Sequence, residues 1–167
     1  MDSIEKSFKA QLLCVTDGYH GPVTVAKNGS GTKQGWLVLG DREEPGITFD
    51  FEYLDRTDTR IIFAIRGAED ADPYQNAPLD VSLNGYVGFY PSVDEPAPWR
   101  LEVTQEDSDG KPLRCLLRDS YGQRIAILSK VQHSGSRADA YVAYRTDMDY
   151  LNVKDGVIAE FQIQYQD

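Results

Sequence analysis

Apolar and polar residues alternate along several parts of the chain, which is the pattern of β-strands with one buried face. The clearest segments are residues 49–53, 99–103 and 161–165, where a polar residue follows each apolar one. Successive side chains of a strand point to opposite faces, so each segment directs three large side chains toward one side of a sheet. The alternation therefore predicts an all-β protein.

Short turn signals separate the predicted strands. The turn dipeptides are Asn84-Gly85, Asp109-Gly110 and Asp155-Gly156. The first lies between apolar runs at 79–83 and 86–90, and this arrangement predicts a hairpin with a two-residue turn. Because no linker divides the chain, residues 1–167 are predicted to form a single domain.

Three parts of the chain share one plan, in which an apolar strand is followed by an Asp-x-Tyr triplet and a second strand. The triplets are Asp17-Gly18-Tyr19, Asp72-Pro73-Tyr74 and Asp119-Ser120-Tyr121. A turn, a third strand and one of the alternating segments complete each unit, which gives units of roughly 8–55, 56–105 and 111–167. One such unit cannot bury its own apolar face, so the three units are expected to close on a shared core.

This threefold plan resembles the β-trefoil superfamily over essentially the whole chain, although no single diagnostic motif carries the resemblance. In that superfamily six strands form a short barrel and six form hairpins that cap it. The resemblance implies a β-trefoil of twelve strands in three pseudo-equivalent units, closed so that no sheet edge stays open. A β-sandwich with a similar number of strands is the alternative.

The inward positions of the predicted strands define an expected core. Its members are Leu12, Phe49, Phe51, Ile61, Phe63, Trp99, Leu101, Leu113, Leu117, Phe161 and Ile163. The two cysteines, Cys14 and Cys115, lie in the opening strands of two units and are expected to be small core residues. The N-terminal residues lack the apolar stretch of a secretory signal, so we expect a cytoplasmic protein with both thiols reduced.

The net charge excludes some classes of partner. The chain has 17 Lys and Arg against 27 Asp and Glu, and its formal net charge is -10. A nucleic-acid-binding surface is therefore not expected, because phosphate binding needs a basic face. No apolar run reaches about 18 residues, so membrane insertion is not expected either.

Residues that would indicate catalysis are scarce. The two histidines, His20 and His133, belong to no recognisable catalytic or metal-binding motif, and neither Cys-x-x-Cys nor Gly-x-Ser-x-Gly occurs. Acidic clusters such as 69–72 and 106–109 do not match a calcium-binding loop and are interpreted as solvated loop charge. We therefore predict no catalytic residue, no metal site and no cofactor, and expect a non-enzymatic recognition protein.

The repeated triplets are the candidate binding residues. An Asp carboxylate accepts hydrogen bonds from sugar hydroxyls, and a Tyr ring packs against the apolar face of a sugar. The predicted carbohydrate-binding residues are Asp17, Tyr19, Asp72, Tyr74, Asp119 and Tyr121, and His20, Gln75 and Gln123 are placed to add polar contacts. A structural role is the alternative, because Asp is a common turn former and a repeated fold repeats its structural residues too.

The resemblance suggests three recognition functions. Many β-trefoil proteins are lectins, and each repeat of the ricin-type branch closes on a Gln-x-Trp. Here that triplet occurs once, as Gln34-Gly35-Trp36, in the third strand of its unit rather than the closing one, so the ricin-type site is not carried over. Other members are protease inhibitors of plants and mushrooms, for which loops 40–46, 91–98 and 132–139 are candidates. A third possibility is the targeting or receptor-binding component of a toxin. The expected partner is therefore a glycan or a protein, and the oligomeric state stays open.

Overall fold

The all-β class predicted from the alternation is confirmed. The computed structural model describes residues 6–27, 33–93, 95–133 and 145–166. Their strands are β1 (Phe8–Thr16), β2 (Tyr19–Lys27), β3 (Lys33–Leu39), β4 (Phe49–Arg56), β5 (Ile61–Gly67), β6 (Leu79–Val81), β7 (Val87–Phe89), β8 (Pro98–Glu106), β9 (Pro112–Arg118), β10 (Ala126–His133), β11 (Arg145–Asn152), β12 (Val157–Ile158) and β13 (Phe161–Gln166). A 3₁₀ turn, Glu69–Ala71, precedes β6. Within the described ranges, no helix has the length and apolar character needed to cross a membrane.

Six strands close into a ring. The antiparallel neighbours around it are β1–β4, β4–β5, β5–β8, β8–β9, β9–β13 and β13–β1. The ring closes where Phe8 pairs with Phe51 on one side of β1 and Lys9 pairs with Gln166 on the other. Each ring strand thus has a partner on both sides, so its backbone groups are satisfied without an open edge. All the strands belong to one connected sheet rather than to the two sheets of a sandwich.

Three further antiparallel pairs, β2–β3, β6–β7 and β10–β11, lie outside the ring. Strand β3 connects them, because Val38 pairs with Tyr150 on β11 and Trp36 pairs with Gly88 on β7. The described residues contain thirteen strands rather than the expected twelve. The additional strand is the two-residue β12, which pairs with the start of β10.

The core follows the alternation of the ring strands. Ten of the eleven expected core residues are buried, including Phe49, Trp99 and Phe161, and Leu113 is half-buried. The indole nitrogen of Trp99 donates a hydrogen bond of 3.0 Å to the backbone oxygen of Leu79. Leu113 is the exception because the β8–β9 register shifts near its end of β9, where the strand leaves the regular ladder.

Both cysteines are buried and free. Cys14 on β1 and Cys115 on β9 each pair across the sheet with Phe161 on β13, which lies between them. Two inter-strand spacings place their backbones about 9–10 Å apart, which is beyond the reach of a disulfide. Burial raises the pKa of both thiols.

The three predicted turn dipeptides all place glycine at positive φ, with values of 90° at Gly85, 84° at Gly110 and 120° at Gly156. The hairpin around Gly85 nevertheless differs from the predicted one. Val81 pairs with Val87, so five residues rather than two connect β6 and β7. The strands end early because the carbonyl groups of residues 83–85 accept hydrogen bonds from residues 152–154 instead.

Candidate functional site

Residues 82–86, termed the Leu83 loop, carry the most exposed large apolar side chain of the described residues. The Leu83 side chain is 93% exposed. One exposed leucine is common on protein surfaces and indicates nothing by itself. Two further features distinguish this one, namely the way its backbone is fixed and the pocket beside it.

Hydrogen bonds to one short segment hold the backbone of the Leu83 loop. The Lys154 Nζ donates to the backbone oxygen of Leu83 at 2.7 Å, and the Asn152 Nδ2 donates to that of Asn84 at 3.2 Å. The backbone N–H of Val153 donates to the oxygen of Gly85 at 2.8 Å. Three consecutive carbonyl groups therefore point toward residues 152–154.

The loop also bonds to itself. The Ser82 N–H donates to the Tyr86 oxygen at 2.9 Å, the Gly85 N–H donates to the Ser82 oxygen at 2.9 Å, and the Tyr86 N–H donates to the Ser82 Oγ at 3.1 Å. Together with the contacts to residues 152–154, every carbonyl oxygen from Ser82 to Tyr86 accepts a hydrogen bond. The loop backbone is therefore ordered before any partner arrives.

Asn152 is the central support of the loop. Its side chain is 1% exposed, and its Oδ1 accepts backbone hydrogen bonds from Lys154 at 2.7 Å and Asp155 at 3.1 Å. A Cβ atom on Gly85 would lie 2.8 Å from the same Oδ1. The loop backbone thus approaches Asn152 so closely that only glycine fits at this position.

A pocket of about 400 Å³, termed the Tyr121 pocket, lies beside the loop. Its apolar lining comes from Val81, Leu83, Ala97, Trp99 and Tyr121. The ring of Tyr121 is 88% exposed, so the two most exposed large apolar side chains of the described residues border one pocket. The charged side chains of Asp80 and Lys154 contribute to the same lining. Such an apolar patch with polar groups around it is typical of a binding surface.

The third predicted triplet supplies one wall of this pocket. Asp119 is 4% exposed, and its Oδ1 accepts backbone hydrogen bonds from Tyr121 at 3.0 Å and Gln123 at 2.8 Å. These are the contacts of a turn-forming Asp, and they direct the Tyr121 ring outward. In this triplet the Tyr side chain, rather than the carboxylate, is available to a ligand.

A cluster of charged side chains also holds this turn in place. The Arg118 guanidinium donates to the Gly122 oxygen at 2.9 Å and to the Glu102 carboxylate at 3.0 Å, and Arg124 also contacts Glu102 at 3.3 Å. Burial opposes the ionisation of Glu102, but hydrogen bonds from Arg124 and Arg118 and the charges of Arg118 and Arg60 together outweigh it and lower the pKa of Glu102. The ionised Glu102 therefore fixes the arginine that fixes the turn.

The first triplet has a different geometry. Asp17 is exposed in the tight turn between β1 and β2, and Tyr19 is half-buried against the core. Tyr19 and His20 border a separate pocket of about 570 Å³, whose lining also includes Arg42 and Asp149. This pocket is mostly polar, and its location is distinct from the Tyr121 pocket.

The second triplet differs again. Asp72 is exposed at the end of the 3₁₀ turn, whereas the Tyr74 ring stacks on Phe89 with centroids 5.7 Å apart. Gln75, which follows, is exposed. The three triplets thus place their side chains in three unlike settings, and Tyr19 and Tyr121 border different pockets. Carbohydrate binding by these residues stays a prediction.

Three other loops are candidates from the sequence for binding a protein. Loop 40–46 is exposed at residues 41–45, where the Asp41 N–H donates to the Glu44 Oε1 at 2.8 Å. Loop 91–98 contributes Ala97 to the Tyr121 pocket. Most of loop 132–139 lies outside the described residues. The Leu83 loop was missed, although a leucine directly before a turn dipeptide is a usable signal.

In the parts of the chain that the structure describes, no group of three or more His, Cys, Asp or Glu side chains is placed to hold a metal ion. The surface features that stand out among the described residues are an exposed leucine, an exposed tyrosine and a fixed loop.

Comparisons with known proteins give a structural likeness. No protein-family model matches the sequence, and the search of curated proteins found no match. Among solved structures, the chain is similar to the double-headed arrowhead protease inhibitor A in complex with two trypsins. The TM-score is 0.60 at 10% sequence identity, and the match covers 96% of this chain and 90% of that chain. At this identity the likeness concerns the fold alone, and the fold of that inhibitor is a β-trefoil.

Proposed function

We propose that this protein is a non-enzymatic recognition protein that binds a protease through the Leu83 loop and blocks its substrate cleft. The observation that carries the proposal is a wholly exposed leucine on a loop whose carbonyl oxygens are all hydrogen-bonded. The similar fold of a protein that binds trypsins supports this choice of partner.

The fixed backbone is what makes inhibition physically reasonable. A flexible peptide loses conformational entropy when a protease orders it, whereas a loop already held by Asn152 and Lys154 loses little. Leu83 then supplies apolar area that is fully in water before binding. No covalent bond has to form or break, because occupation of the cleft is sufficient.

A stoichiometric titration tests the proposal. Each of a panel of serine and cysteine proteases is mixed with the protein, and residual cleavage of a chromogenic peptide is measured. At least one protease should lose activity and form a complex on size-exclusion chromatography. Leu83→Asp should weaken the inhibition, whereas Leu54→Asp, at a leucine that is 47% exposed on β4, should not. If no protease in the panel is inhibited, the proposal is wrong.

Carbohydrate binding is the second candidate function, and the exposed Tyr121 ring favours it. Tyr121 borders a pocket to which Asp80 and Gln123 add polar groups, an arrangement suited to stacking on a sugar and bonding its hydroxyls. A glycan array probed with the wild type and with Tyr121→Ala tests this. Specific binding that Tyr121→Ala abolishes would support the candidate, and an empty array would contradict it.

We infer further that the ring and the three outer pairs form a β-trefoil of three units with bounds near 8–55, 56–105 and 111–167. Each of these units contributes two ring strands and one outer pair. An experimental structure in which the three units superpose about a common axis would support the inference. Units that fail to superpose would contradict it.

A further inference from the structure

We propose that Leu83 is the specificity-determining residue of the Leu83 loop, and that its partner is a protease whose primary specificity pocket is apolar. The inference rests on the proposed function and narrows its substrate class. It concerns which side chain enters the protease and which pocket accepts it.

The exposed position of the Leu83 side chain makes it the part of the loop that a partner meets first. The carbonyl groups of Leu83, Asn84 and Gly85 are directed toward the supporting segment, and the Leu83 side chain is left 93% exposed. A side chain in this position enters a concave partner before the rest of the loop does. The neighbouring Tyr86 has its side chain half-buried against the Trp36 and Tyr150 rings and is not free to do the same.

The second argument is chemical. A trypsin-type specificity pocket has a carboxylate at its base, whereas a chymotrypsin-type pocket is an apolar slot. A leucine in the first kind would leave a buried carboxylate without a partner, which is strongly unfavourable. Among the described residues, Lys154 is the cation at the loop. Its Nζ donates a hydrogen bond of 2.7 Å to the Leu83 oxygen, so it is not available to pair with that carboxylate. An apolar slot therefore fits Leu83.

The third argument is the surface around the leucine. Val81, Ala97 and Trp99 line the adjoining pocket, and Tyr121 extends from its wall. A protease that encloses Leu83 would also cover part of this apolar lining. A protease with apolar side chains around its specificity pocket is therefore favoured, because both surfaces would then bury apolar area.

The test exchanges the side chain and compares two related proteases. The wild type, Leu83→Ala and Leu83→Lys are titrated against chymotrypsin and against trypsin, with inhibition constants measured from peptide hydrolysis. Leu54→Lys is the matched control, because it makes the same change at another exposed leucine. Thermal melts confirm that each variant is folded.

The wild type should inhibit chymotrypsin more strongly than trypsin. Leu83→Ala should weaken chymotrypsin inhibition about 10- to 100-fold, as expected for the loss of a buried leucine side chain. Leu83→Lys should reverse the preference, and Leu54→Lys should behave as the wild type.

Trypsin inhibition without chymotrypsin inhibition overturns the inference while the proposed function stands. Inhibition that Leu83→Ala and Leu83→Lys leave unchanged overturns the inference and also the Leu83 loop as the contact surface of the proposed function. Inhibition of no protease overturns both.

Discussion

Replacing Asn152 with alanine tests whether the Leu83 loop is held by its support. The substitution removes the donor to the Asn84 oxygen and the acceptor for the Lys154 and Asp155 N–H groups, three hydrogen bonds in all. Each such bond contributes about 0.5–1.5 kcal/mol net. The site is 1% exposed, so water does not readily replace the lost contacts. We therefore expect Asn152→Ala to lower the free energy of unfolding by about 2–4 kcal/mol.

The assay is urea and thermal unfolding followed by circular dichroism. For a protein of this size 1 kcal/mol corresponds to about 2–4 °C in melting temperature, so a decrease of roughly 4–16 °C is expected. Asn152→Asp is the matched control, since it keeps the acceptor for Lys154 and Asp155 but cannot donate to Asn84. Because it places a buried acceptor against the Asn84 oxygen, it should also lower the melting temperature, and it should accelerate hydrogen exchange at Gly85. A melting temperature for Asn152→Ala within about 2 °C of the wild type would refute the support role.

Three further predictions concern the ring and its charges. Leu101→Ala should lower the free energy of unfolding by about 2–5 kcal/mol in urea titrations, and a loss below about 1 kcal/mol would contradict the enclosed position of this leucine. Because burial raises the pKa of Cys14 and Cys115, native protein should react with iodoacetamide at least about tenfold more slowly than unfolded protein; a native mass two hydrogens below the reduced value would contradict the two free thiols. The pKa of Glu102 is lowered on folding, so its contribution is present above the unfolded pKa and is lost as pH falls through the folded one. Glu102→Gln should accordingly be less stable than the wild type at about pH 7, and the difference should shrink as pH falls below the unfolded pKa and through the folded one. A stability difference independent of pH would contradict this linkage.

The ring could be predicted from the sequence because its signals are local. Phe49, Phe51, Phe161 and Ile163 alternate with polar residues, and this period of two defines which face is buried wherever a strand has one face inside. The turn glycines could also be predicted, because a positive φ is a property of a single residue. The prediction of Leu113 as a core residue was wrong, because the register shift that leaves it half-buried depends on the partner strand β8 and not on local sequence.

The candidate site could not be predicted in the same way. Residues 79, 81 and 83 continue one apolar face, so Leu83 looks like the inward end of a strand. The strand instead ends at Val81. The carbonyl groups of Leu83 and Asn84 accept hydrogen bonds from side chains of residues 152–154, which are distant in the sequence. The repeated Asp-x-Tyr triplets likewise differ in their surroundings, and sequence repetition alone does not show this.

The pairing of β1 with β13 has a consequence for synthesis. A ribosome makes β1 (Phe8–Thr16) long before β13 (Phe161–Gln166), so one side of β1 has no partner while the strands between them are made. An unpaired strand side is a template for pairing with other chains, and nascent chains in this state are prone to aggregate. The alternation of charged Lys9 with apolar Phe8 and Ala10 at this strand places a charge where such pairing would begin. Yield in a cell should therefore depend more on translation speed and chaperone supply than on the stability of the finished ring.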